Sequence, residues 1–344
     1  MIEEVTSKGQ EGLFTSCYVE CGILGAKAPT FTHYYGCDKA SVFDLASLSK
    51  GLVLGPLVYQ LLDLMSLSSL CKVSDVLPSA DLPMAVKNIV IKDLLSHESG
   101  LPAWRNFWVN RLDSKTSFAE FSATADSHIE KVFSRFEGLT FQPGKDLYSD
   151  VGMILLGYLV QKASGQSLEE LFMDLLAPFD QKGFMGGPKG LLGVAKEDVV
   201  RTAYCPIRRR ELQGEVHDEN CAALGGFTGH AGLFSTGPRL GGVLRDYAKS
   251  RVLSGYFSEN ERLLRETKKT GLFGLRRGDD IGSLPFGQGM AMGHLGFTGT
   301  AFWVWPEKGF YGVLLTNRVV SGRVSPKIQP FRGKVFGYLG GYLG

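Results

Sequence analysis

Residues 14–23 and 31–37 are stretches of mixed apolar and polar positions rich in Val, Thr, Tyr and Phe, separated by Gly25 and Pro29; they predict a pair of strands. A further strand-like run, residues 41–45, leads into an apolar stretch that continues to Met65 and predicts a long buried helix starting at about Ser47. After Val76, prolines and glycines cut the pattern into short helical pieces, at 91–96, 118–136 and 151–163. In the last of these Met153, Leu156, Leu159 and Val160 fall close to helical period, and Gly165 closes it as a C′ residue. From about residue 220 a glycine-rich strand texture returns. Residues 238–252 and 259–269 predict helices, and 300–305 and 310–316 predict a hairpin about the turn Pro306-Glu307-Lys308-Gly309. Strands at both ends around a helical middle predict an α/β domain of residues 1–70 plus 215–344, with an all-helical domain, 71–214, inserted in it and a site in the cleft between them.

A chain of 344 residues is long enough for one large or two joined domains, and its formal net charge of +2 gives no basis for a nucleic-acid partner, since no Lys/Arg run exceeds Arg208-Arg209-Arg210. Gly51, Gly55, Pro56, Gln60 and Asp63 interrupt the longest apolar segment, so no membrane span is expected. The first residues lack a basic stretch followed by an apolar one, which predicts a cytoplasmic protein. The six cysteines show no Cys-x-x-Cys spacing and read as buried free thiols in a reducing compartment.

The chemistry concentrates at Ser47-Leu48-Ser49-Lys50. Residues i and i+3 share a helix face, so the Lys50 amine can lie beside the Ser47 hydroxyl, and a desolvated amine that loses its charge can accept the hydroxyl proton. The N–H groups of a helix entry favour a developing oxyanion. The same spacing recurs at Ser69-Leu70-Cys71-Lys72, where a helix exit among several serines gives it no such setting. Tyr148 and Asp150, two apart on a loop before a predicted helix, add a proton relay and a carboxylate able to bond Lys50 or a substrate amide; Asp150 also reads as the cap of that helix.

With these residues in view the chain resembles the serine β-lactamase and penicillin-binding-protein superfamily, in particular its class C-like β-lactamase, D-alanyl-D-alanine peptidase and esterase branch. Leu94-Leu95-Ser96-His97-Glu98-Ser99-Gly100-Leu101-Pro102, Val216-His217-Asp218-Glu219-Asn220, Gly229-His230-Ala231-Gly232-Leu233-Phe234-Ser235-Thr236 and Leu314-Leu315-Thr316-Asn317-Arg318-Val319 are similar to further blocks of that branch, in order, so the likeness runs from about residue 10 to 335. The resemblance implies an antiparallel sheet flanked by helices. It also implies a serine hydrolase working through an acyl-enzyme without a cofactor: Ser47 as nucleophile, Lys50 taking its proton, Tyr148 relaying it to the leaving group, and the backbone N–H groups of Ser47 and Phe297 holding the oxyanion. The third family motif has two candidates. Lys269-Thr270-Gly271 reads as a helix end, and His294-Leu295-Gly296, leading straight into the hairpin, is the better match, making His294, Leu295 and Gly296 substrate-binding together with Asp150.

Two positions depart from the family pattern. Asp150 stands where the family usually has Asn, and Leu295 where Thr is common, whose hydroxyl helps to hold a substrate carboxylate. The expected substrate is a small-molecule or peptide acyl donor, a β-lactam or D-amino-acid amide; a carboxylesterase and a catalytically silent penicillin-binding sensor are the alternatives. His97, His217 and His230 show no metal spacing and read as packing or hydrogen-bonding residues, and His33 and His128 as surface or strand residues. No Gly-x-Ser-x-Gly occurs, which argues against an α/β-hydrolase elbow. Oligomeric state leaves no trace in the sequence.

Overall fold

A computed structural model describes residues 12–108, 123–266, 274–277, 291–323 and 325–343. Its main sheet joins both ends of the chain. Strands β1 (Cys17–Ile23) and β2 (Phe31–Tyr35) come from the start, and β8 (Arg276–Arg277), β9 (Met292–Leu295), β10 (Ala301–Trp305) and β11 (Phe310–Thr316) from the end; β3 to β7 lie between them in the chain. The strands pair antiparallel in the order β2-β1-β11-β10-β9-β8. Both faces are covered, so successive residues feed opposite cores. Tyr18, Phe302, Val304, Tyr311, Val313 and Leu315 join one cluster, which continues without a break into the helices of the middle of the chain. Cys17, Val19, Cys21, Trp303, Trp305 and Leu314 join another, closed by Phe331, Val335, Phe336 and Leu339 of the helix Ile328–Leu343. The six cysteines are unpaired, and no described helix is long and apolar enough to cross a membrane.

The predicted hairpin forms with the expected turn, Gly309 taking a left-handed φ of 67°. Helix Asp150–Ser164 ends on Gly165 at φ 72°, as the pattern requires. Other expectations need correction. The middle is not all helical: β4 (Met185–Gly186) pairs with β7 (Phe234–Thr236), which also pairs with β3 (Val42–Asp44), and β5 (Tyr204–Cys205) forms a hairpin with β6 (Arg210–Glu211). Two-residue strands are too short to leave an alternation in the sequence. The helix expected over 238–252 stops at Arg245, and a single helix, Arg251–Glu266, replaces the one expected from 259. The break falls at Ser250, whose hydroxyl accepts the Leu253 N–H at 3.3 Å and so restarts the helix. Residues 118–122 and the Lys269-Thr270-Gly271 motif lie outside the described residues.

Candidate active site

Ser47 sits where β3 turns into a helix. Asp44, wholly buried, accepts the N–H of Ala46 at 2.8 Å and that of His217 at 2.7 Å, fixing a tight corner in which Ala46 takes φ 49°. Burial pushes the Asp44 carboxyl up to about 6 in spite of those two hydrogen bonds. The chain then enters a π-helical turn, Lys50–Leu54, before the α-helix Gly55–Leu64. Ser49 locks this entry by donating to Ala46 O at 2.7 Å and accepting the Leu233 N–H at 3.1 Å. The result is a partly exposed Ser47 hydroxyl above a fully buried Lys50.

Lys50 Nζ donates to Ser47 Oγ at 2.8 Å and to the His230 carbonyl at 3.0 Å, and it is ion-paired with Asp150 at 2.7 Å. The Tyr148 hydroxyl hydrogen-bonds both Lys50 and Ser47, with Lys50 Nζ 5.0 Å from the Tyr148 ring centroid. Tyr148 is wedged between two imidazoles, His97 at 4.5 Å and His294 at 6.0 Å between centroids. His97 also accepts the Ser149 N–H at 3.0 Å, which ties the Tyr148 loop to the segment before Pro102. Ser149, not Asp150, caps helix Asp150–Ser164: its hydroxyl accepts the Gly152 N–H at 3.1 Å and donates to Pro102 O at 2.8 Å. The Asp150 carboxylate is thereby left to Lys50.

That pairing reverses one expectation about charge. Burial works against the Lys50 ammonium, but attraction to Asp150 and Tyr148 and the hydrogen bonds they make outweigh it and hold Lys50 above the ordinary lysine value. Burial raises Tyr148 as well, more than Lys50 lowers it, so the phenol is neutral. The 2.7 Å pair with Asp150 and the upward direction of the Lys50 value favour an ammonium there over the uncharged amine expected from the sequence.

The opposite wall is the loop after β9. Gly296 passes so close to the Ser47 approach that a Cβ there would lie 2.0 Å from Thr300 Oγ1 and 2.7 Å from Leu45 O, an approach only glycine permits. Thr298 and Thr300 donate to Asp44 O at 2.8 Å and Leu45 O at 3.1 Å, and the buried Arg332 holds Gly296 O at 2.6 Å and Thr300 O at 2.8 Å. These contacts bring Phe297 beside the Ser47 corner. Its ring, 42% exposed, lies between His217 at 5.6 Å and the Arg318 guanidinium at 4.4 Å. His294 is buried behind Tyr148, whereas Leu295 packs against the cluster on the far face of the sheet, as strand alternation demands. The sequence reading missed Asp44, which shapes the corner, and the His230 carbonyl. The first had a signal, a carboxylate in the strand-like run Phe43-Asp44-Leu45; a backbone carbonyl has none. The His230 ring is pinned by Asp218 and Thr228, both at 2.8 Å.

The Lys50–Asp150 pair predicts a stability signature. Because the folded-state value of Lys50 is raised, the pair's contribution is complete below the unfolded lysine value of about 10.4 and is lost as pH rises through the folded value. Asp150→Ala strands the buried ammonium and is expected to cost about 3 kcal/mol at neutral pH. The gap between the two proteins in thermal or denaturant unfolding is expected to begin to narrow in wild type only above pH ~10.4 and to close as pH passes the raised folded value of Lys50.

The Beta-lactamase family model matches residues 22–332. A Bacillus subtilis (strain 168) protein named N-acetylmuramyl-L-alanine amidase is 30% identical over 330 residues, covering 86% of this chain and 73% of that protein. An Escherichia coli (strain K12) protein named "Putative D-alanyl-D-alanine carboxypeptidase" is 28% identical over 271 residues, 70% of this chain; the match spans only 59% of that relative's length. Among solved structures, the octameric penicillin-binding protein homologue from Pyrococcus abyssi superposes with a TM-score of 0.69 at 16% identity, covering 99% of this chain and 76% of that one. A class C beta lactamase from Rhodobacter sphaeroides gives a TM-score of 0.69 at 14% identity, covering 100% and 99%. These two show a shared fold.

Proposed function

For a chain that belongs to the Beta-lactamase family, we propose a serine hydrolase that cleaves amides through an acyl-enzyme on Ser47. The single observation that carries this reading is the convergence of Ser47, Lys50, Tyr148 and Asp150 on one buried hydrogen-bonded cluster opening at Ser47. Ser47 Oγ attacks the carbonyl carbon while its proton passes to Tyr148 Oη, and the phenolic proton passes to the leaving nitrogen or oxygen. Tyr148 ends the step as it began, a neutral phenol. Lys50 remains charged, holding Ser47 Oγ by a charge-assisted hydrogen bond that strengthens as negative charge develops there. The backbone N–H groups of Ser47 and Phe297 take the carbonyl oxygen. In deacylation water attacks the acyl carbon, its proton goes to Tyr148, and the tyrosine returns one to Ser47. No cofactor enters.

The two relatives' names, an amidase and a carboxypeptidase, support an amide or peptide substrate. Leu295 faces away from the cleft, so its side chain does not discriminate between substrates with and without a terminal carboxylate. The carboxylesterase is the second reading, since the same cluster opening at Ser47 serves an ester carbonyl equally well. Side-by-side turnover of an N-acetylmuramyl-alanyl amide, a D-alanyl-D-alanine peptide and a short-chain nitrophenyl ester, with labelling by a fluorescent penicillin, separates them. Cleavage of an amide is the expected result. Turnover of the ester alone, with no penicillin label, would replace the amidase by an esterase, and a penicillin label with no turnover of any of the three would point to the silent sensor.

A further inference from the structure

We propose that the acyl donor presents a hydrogen-bond donor, a free amine or a hydroxyl, to Asp150, and that this chain selects amine- or hydroxyl-bearing acyl groups over those with a carbonyl or carboxylate at that point; the proposal rests on Ser47 being the nucleophile. Within the ion pair the ammonium is hidden and the carboxylate is not: the Lys50 side chain is 0% exposed and that of Asp150 24%. A group entering above the pair therefore meets carboxylate oxygen, which only accepts hydrogen bonds. The Asp150 backbone N–H is engaged elsewhere, donating to Ala103 O at 3.0 Å, so it offers no donor of its own.

A second carboxylate reinforces the same preference. Asp218, its side chain 31% exposed, bonds the buried His230 ring, whose carbonyl receives Lys50, and it lies within range of the Lys50 charge. Asp150 thus pairs directly with the buried ammonium, while Asp218 pairs with His230 and only senses the Lys50 charge. Among the described residues, the arginines beside Phe297 are already engaged: Arg323 pairs with Glu219 at 2.5 Å, and Arg318 is buried under Phe297, donating to the Gly322 and Arg323 carbonyls. An acyl carbonyl set against Asp150 would leave two acceptors facing each other without a proton between them, and a carboxylate there would add like-charge repulsion. An ammonium or hydroxyl meets neither penalty.

The test uses boronic acids, which add to a nucleophilic serine and need no turnover. Binding of 1-aminoethylboronic acid, its N-acetyl derivative and its N-succinyl derivative is measured by calorimetry to wild type, Ser47→Ala, Asp150→Asn and Asp218→Asn. The wild type is expected to bind the free amine at least about tenfold more tightly than the N-acetyl compound, with the N-succinyl compound weakest, a ratio within reach of one directed polar contact. Asp150→Asn, which restores a donor at the same size, is expected to erase or invert that order. Asp218→Asn, which keeps the helix cap, is expected to narrow the gap to the succinyl compound. Equal or tighter binding of the N-acetyl compound by wild type would overturn the proposal, whether or not the variants fold, and so would an Asp150→Asn protein that keeps the wild-type order. Failure of Ser47→Ala to weaken any of the three would instead remove the nucleophile reading, and the proposal with it.

Discussion

Ser47→Ala is expected to lower kcat/KM by about 10⁴-fold or more on every substrate the wild type turns over, because the reaction then has no atom on which to store the acyl group. The fold is expected to survive. Lys50 keeps the His230 carbonyl and Asp150 as partners when the Ser47 hydroxyl is lost, and Ser49, not Ser47, carries the hydrogen bonds that lock the helix entry. A steady-state assay and a melting curve on the same preparation separate the two outcomes. An inactive variant with a near-native melting curve supports the nucleophile, and one that retains activity places the chemistry elsewhere in the chain.

Tyr148→Phe is expected to show a leaving-group effect. The phenol is assigned both ends of the proton transfer, so an amide, whose nitrogen must be protonated to leave, is expected to lose about 10²- to 10⁴-fold in kcat. A nitrophenyl ester, whose leaving group departs as a stable anion, is expected to lose at least about tenfold less than the amide. Phe keeps the ring between His97 and His294, so the comparison isolates the hydroxyl from the packing. Equal losses on both substrates would make Tyr148 a structural partner of Lys50 and not the relay. An unchanged rate on amides would leave the leaving-group proton to another residue.

Much of this arrangement was legible in the chain before any coordinates. The β-branched and aromatic runs between turn residues gave β1, β2 and the β10–β11 hairpin within a few residues, because β1, β10 and β11 feed apolar side chains to a core on each face of the sheet. The spacing of Ser47 and Lys50 gave their contact directly, since a single helical turn fixes it. What the chain concealed was mostly long-range. The charge state of Lys50 depends on Asp150, one hundred positions away, and spacing arguments carry no electrostatics across such a distance. Asp150 was read both as a carboxylate able to bond Lys50 or substrate and as the cap of its helix; the cap is taken by Ser149, whose hydroxyl accepts the Gly152 N–H and donates to Pro102 O. The sides of β9 were fixed by alternation, but which side faced the cleft was not, and so Leu295 was expected among the substrate contacts while its side chain lies on the far face. The short strands β4, β5 and β6 are dictated by their partners rather than by their own residues.

The central claim is that the acyl group passes through Ser47. Intact-protein mass spectrometry after exposure to a penicillin and, separately, to an activated ester, followed by peptide mapping, tests it most directly. The expected result is one added acyl mass per chain from at least one of the two donors, located on the peptide that contains Ser47 and absent from Ser47→Ala. An adduct on another residue, or one of equal yield in Ser47→Ala, would contradict it.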